Sequence, residues 1–144
     1  MIKNKILLLF FIFLLTQYSC EKIYAPSTSE IVINELLPVN SNIVPDQNGE
    51  YDDWIELFNQ SSSTINISGY YLTDSKKKLS KWKLPDGTSI EGKGYLIIWA
   101  DEDTTQRGLH SNFKLSSLGE KIILSKPDLS IIDQVEYPAQ TLEL

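Results

Sequence analysis

The chain has 144 residues, is 42% hydrophobic and 22% charged, and carries a formal net charge of −6 at neutral pH. An acidic surface repels phosphate polymers, which counts against nonspecific nucleic-acid binding. A single cysteine excludes an intramolecular disulfide and a cysteine zinc centre, so stability must come from packing.

Lys3 and Lys5 precede ten apolar residues, Ile6 to Leu15, and Cys20 follows Thr16-Gln17-Tyr18-Ser19. Basic residues, a short hydrophobic run and a small residue before a cut site form a secretory signal peptide, and ten residues are too few to span a bilayer. The remainder is therefore expected to be exported. Cys20 resembles the lipid-modified first residue of a mature bacterial lipoprotein: Ser19 fits that pattern, while Gln17 stands where the usual motif has Leu. The resemblance implies a lipoprotein-type signal over residues 1–19, lipidation at Cys20 and a membrane partner through that anchor, with the outer membrane of the cell envelope as the expected location. One acyl chain holds only marginally, and several fix a protein on the membrane face. The alternative is cleavage without lipid, with Cys20 left as a spacer or removed.

Without Lys3 and Lys5 the balance is 11 basic against 19 acidic residues, or −8. Residues 20–29, small, polar and Pro-containing, read as a tether. From residue 30 to 140 the length suits one domain burying roughly two thirds of its unfolded surface. Short segments there alternate with period two: Ile31 and Ile33, Ile55 and Leu57, Ile65 and Ile67, Trp82 and Leu84. Tyr95-Leu96-Ile97-Ile98-Trp99 is apolar on both faces and so central; Phe113 and Leu115, Ile122 and Leu124, then Ile131, Val135 and Tyr137 follow. Pro85-Asp86-Gly87, Gly92-Lys93-Gly94, Leu118-Gly119-Glu120 and Lys126-Pro127-Asp128 supply the reversals. About nine short strands without a helical stretch predict an all-β, antiparallel β-sandwich, with residues 141–144 as a C-terminal tail.

The ordered blocks Ile33-Asn34-Glu35, Asp53-Trp54-Ile55-Glu56-Leu57-Phe58-Asn59, Ile67-Ser68-Gly69-Tyr70-Tyr71-Leu72-Thr73-Asp74, Lys81-Trp82-Lys83-Leu84-Pro85-Asp86-Gly87-Thr88 and Gly94-Tyr95-Leu96-Ile97-Ile98-Trp99-Ala100 resemble the lamin-tail domain of bacterial surface proteins. Leu109-His110-Ser111-Asn112-Phe113-Lys114-Leu115, Gly119-Glu120 and Ile132-Asp133-Gln134-Val135-Glu136-Tyr137-Pro138 continue the resemblance. It implies an immunoglobulin-like sandwich that accompanies exported enzymes or adhesive proteins and is not itself catalytic.

The loop Asp46-Gln47-Asn48-Gly49-Glu50-Tyr51-Asp52-Asp53 is the best candidate for chemistry. Its oxygens at Asp46, Asn48, Glu50, Asp52 and Asp53 are of the kind calcium takes, although the spacing does not fit an EF-hand. The competing reading is a solvated loop with local turn hydrogen bonds. Trp54, Trp82 and Trp99 are expected in the core, and an alternative sugar-stacking platform would need Tyr51, Tyr70, Tyr71 and Trp54 exposed. Gly69 and Gly87 are expected in tight reversals. Glu35 and Glu56 are expected to face each other in an architectural role. The basic run Lys76-Lys77-Lys78, followed by Lys81 and Lys83, reads as a hairpin tip or as a contact for an acidic glycan or lipid headgroups.

Catalytic machinery is hard to assemble. His110 is the only histidine, and no Gly-x-Ser-x-Gly, His-Glu-x-x-His, Gly-x-Gly-x-x-Gly or Walker-type loop occurs, so the chain is expected not to be an enzyme. Three function classes follow: an envelope-displayed module binding a protein or glycan, an accessory subunit of an exported hydrolase or kinase-like system, and a calcium-dependent adhesion module. The chain reads either as a stand-alone domain or as part of a longer surface protein.

Overall fold

Alternating apolar residues need a common interior, and the chain supplies one by laying two four-stranded sheets face to face. The computed structural model describes residues 28–140. The expected signal peptide, Cys20, most of the tether and residues 141–144 lie outside them. Ten strands occur in order: β1 (Ile31–Leu37), β2 (Trp54–Asn59), β3 (Ile65–Asn66), β4 (Tyr71–Thr73), β5 (Trp82–Lys83), β6 (Ser89–Ile90), β7 (Tyr95–Ala100), β8 (His110–Ser111), β9 (Gly119–Ser125) and β10 (Ile131–Pro138). One sheet runs β1-β2-β7-β8, the other β10-β9-β4-β5, and β3-β6 forms a separate ribbon. None of the described residues is helical.

The core unites both sheets and the ribbon. Ile31, Ile33, Ile55, Leu57 and Ile98 come from the first sheet, Leu72, Trp82, Ile122 and Leu124 from the second, and Ile90 from β6. The three tryptophans are buried, as expected of large apolar surfaces on strands. Gly69 and Gly87 adopt φ of +77° and +84°, the left-handed backbone that a side chain resists.

The expected strand at Phe113 and Leu115 is displaced. The ladder forms upstream in β8, which pairs with β7 through Trp99↔His110 and Ala100↔Ser111 and is the one parallel pairing among the described residues. Phe113 and Leu115 are buried all the same. Pairing there is reduced to one antiparallel bridge, Lys114 with Asp101, while the Ser111 hydroxyl donates to the Phe113 carbonyl at 2.8 Å.

The two sheets touch at one side. Both β1 and β10 are edge strands, each with a register shift, β1 between Ile33 and Glu35 and β10 between Ile131 and Asp133. At those bulges the Ile33 amide donates to Asp133 Oδ2 at 2.7 Å, so a carboxylate satisfies an edge amide that would otherwise invite another strand. Glu35 and Glu56 pair across β1 and β2 as expected, and Glu35 is exposed. Glu56 accepts a hydrogen bond from Asn34 Nδ2 at 2.7 Å, an architectural role.

Candidate functional site

The connection from β1 to β2 is the long loop between Leu37 and Trp54, and its shape is set by one side chain. Asn40 is 5% exposed. Its Nδ2 donates to the carbonyls of Val44 at 2.6 Å and Asp52 at 2.9 Å, while its Oδ1 accepts the amides of Ile43 at 3.1 Å and Val44 at 3.4 Å. One amide group thus ties the outgoing and returning arms of the loop together. Asp46 organises the tip: its Oδ1 accepts the amides of Asn48 and Glu50, both at 2.8 Å, an Asx turn that lets Gly49 take φ +85°.

The loop leans on the segment between β7 and β8. Gln106 Nε2 donates to Glu50 Oε2 at 2.7 Å and to Asp103 Oδ2 at 3.2 Å, and Asn48 Nδ2 donates to Gln106 Oε1. Behind that contact lies His110, buried on β8, with Nδ1 2.6 Å from Asp101 Oδ2 and Nε2 3.0 Å from the Arg107 carbonyl. Burial opposes charge on this ring. The Asp101 carboxylate, the Arg107 carbonyl and the charge of Asp46 outweigh that and hold the imidazole above its ordinary pKa.

Of the four carboxylates expected to offer oxygens to a cation, the fold gathers three. Asp46, Glu50 and Asp52 each present a carboxylate oxygen within 4.8 Å of the other two. Burial pushes the Asp52 carboxyl up, with the charges of Asp101, Glu50 and Asp46 adding to the effect and His110 opposing it. Asn48 points its amide at Gln106, and Asp53 Oδ1 accepts the Asn40 amide at 3.4 Å. Both brace the loop, and the Asp53 carboxylate stands outside that cluster. Burial raises the Asp53 carboxyl to about 6, with Asp52 adding to the rise and the amides of Asn40 and Leu115 and the charge of Lys114 opposing it.

The aromatic candidates separate. Tyr51 is 47% exposed on the loop, Tyr71 is half-buried on β4 between Lys83 of β5 and Ser125 of β9, and Tyr70 packs against the core. Trp54 is buried, which removes it from any stacking platform. The β2–β7 register sets it opposite Trp99, which is buried with it. Lys76, Lys77 and Lys78 are exposed in turns between β4 and β5. Lys81 is drawn away from that run by Asp74 at 2.7 Å and by the Phe113 ring, 5.2 Å from its Nζ, and Lys83 lies 3.8 Å from Asp86.

Two features escaped sequence reasoning. Ile43 and Val44 are 63% and 44% exposed on the same loop as Tyr51. On the outer face of the first sheet Phe58 stacks on Tyr95 at 4.6 Å between ring centroids. No periodicity marks either pair, since Ile43 and Val44 sit in a loop and Phe58 and Tyr95 meet only through the β2–β7 register.

Two packed sheets, a central apolar cluster and loops gathered at their ends define an immunoglobulin-like β-sandwich. The chain matches the Lamin Tail Domain over residues 25–139, and it belongs to that family. No curated protein matches it.

Proposed function

We propose that this lamin-tail chain is a non-catalytic interaction module, exported and held on the bacterial cell envelope by a lipid on Cys20, which grips a protein or glycan partner through the loop between β1 and β2. The observation that carries the reading is the exposure of Ile43, Val44 and Tyr51 on a loop already fixed by Asn40. Large apolar side chains held in water on a rigid frame bind at low ordering cost, whereas a mobile loop would lose that advantage. The electrostatics agree with a partner that is not nucleic acid, because the loop is acidic.

Absence of catalysis is supported by His110. Both of its ring nitrogens face acceptors, so neither is available to take a proton from a nucleophile. The exposed Lys76–Lys78 turn is a secondary contact for acidic glycan or headgroups.

The test is site-specific photocrosslinking in intact envelopes, with a photoreactive residue at position 43 and, as control, at position 118, exposed and away from both contacts. A discrete adduct from position 43 that competes with unlabelled chain supports the reading. Adducts of equal yield from both positions, or none from position 43, contradict it.

A further inference from the structure

We infer that the loop between β1 and β2 is a calcium site, with the ion held between the carboxylates of Asp46, Glu50 and Asp52. The cluster alone would not carry this. What does is a buried oxygen without a partner: Asp46 is 8% exposed, its Oδ1 is consumed by the Asn48 and Glu50 amides, and its Oδ2 is buried with no hydrogen-bond donor. Asp52 Oδ2 is buried and undonated as well. Two carboxylate oxygens withdrawn from water at one loop each forgo hydration, and a hard cation would restore what they lack.

Geometry favours calcium among such cations. Oxygens bind it at about 2.3–2.6 Å, so oxygens on opposite sides of its shell stand about 4.6–5.2 Å apart. The three carboxylate oxygens lie within 4.8 Å of one another, close enough to share one such shell. Magnesium demands a near-ideal octahedron and gives up its water reluctantly, so an irregular set of loop carboxylates suits it less well. Water would complete the six to eight oxygens that calcium takes.

The protein's own cations do not fill the place. Among the described residues, no ion pair involves Asp46, Glu50 or Asp52. His110 acts on Asp46 and Asp52 through its charge, yet its ring nitrogens are turned to Asp101 and Arg107. Glu50 is held in position through Oε2 by Gln106.

The test is calorimetric titration of the full chain in detergent, freed of metal with chelator, with calcium chloride and in parallel with magnesium chloride. The expected result is one calcium site of Kd about 0.1–1 mM, the range of extracellular modules, with magnesium at least tenfold weaker. At 10 mM calcium the melting midpoint should rise by about 5–10 °C. Asp52→Asn should abolish both responses while melting in chelator no lower than the parent, because it removes a charge from a crowded cluster; Asp46→Asn should do the same wherever it folds. Glu35→Gln, on β1, should leave both responses intact. No heat and no shift up to 10 mM calcium in the folded parent overturns the inference. So does unchanged calcium affinity in Asp52→Asn, or equal affinity for magnesium.

Discussion

His110 on β8 stands 2.6 Å from Asp101 at the end of β7, with both ring nitrogens facing oxygen acceptors. A neutral imidazole carries one N–H and can satisfy only one of them, so the fold favours the imidazolium. A raised folded-state pKa means stability is fully present below the unfolded value and is lost as pH rises through the folded one. For His110 the loss begins near its unfolded value of 6.5. Asp53 acts in the same direction at lower pH, its carboxyl lifted from 3.8 to about 6. In chelator, unfolding free energy should therefore decline from about pH 4 through 6, by about 1–2 kcal/mol once solvent screening is counted, and again above 6.5. Asp101→Asn should flatten the upper window and leave the lower one. Urea unfolding at half-unit pH steps checks both, and a curve rising through these windows would contradict the assignment.

Asn59 is fully buried at the end of β2 and donates through Nδ2 to the carbonyls of Ser63 at 2.8 Å, Ile90 at 3.0 Å and Glu91 at 3.1 Å. Its Oδ1 accepts from the amide and hydroxyl of Ser61. Asn59→Asp turns the donor into an acceptor facing those carbonyls and should cost more than about 3 kcal/mol, whereas Asn59→Ala should cost about 2–3 kcal/mol by leaving them unsatisfied. Chemical denaturation ranks the two. Equal stability of the aspartate variant and the parent would show that the network is not needed.

The bond from the Ile33 amide to Asp133 joins the sheets where both edge strands bulge. Asp133→Ala should cost about 1.5–3 kcal/mol, the range for a hydrogen bond to a charged group, and Asp133→Asn should recover part of it by keeping an acceptor. Because the alanine variant leaves an edge amide unpaired, it should also aggregate sooner on heating. Denaturant midpoints and light scattering read the two effects, and an alanine variant within about 0.3 kcal/mol of the parent would contradict the role given to Asp133.

Much of the fold was legible because burial writes itself into the sequence with period two: Ile31 and Ile33, Ile55 and Leu57, and Ile122 and Leu124 all end in the core. The same signal overstated the pairing at Phe113 and Leu115, where alternating burial comes with a single bridge, Lys114 to Asp101, and no longer ladder. β4 and β6 gave too little pattern, being three and two residues long. At the site, the acidic residues were visible as a run. Their division into cluster and brace was not, since it depends on Gln106, which reaches Asn48 and Glu50 from the segment before β8. Asn40 was equally hidden: a lone amide in a polar loop gives no sign that it bridges Val44 and Asp52.

Whether exposed side chains on the β1–β2 loop make the binding surface is tested most directly by saturable binding of the fluorescently labelled full chain to isolated envelopes. Ile43→Ser combined with Val44→Ser should weaken that binding by at least tenfold while shifting stability by no more than about 0.5 kcal/mol, as surface changes do. Replacing Lys76, Lys77 and Lys78 with Ser should change it by threefold or less. Unchanged affinity in the loop variant, with loss on neutralising the lysine turn, would contradict the account.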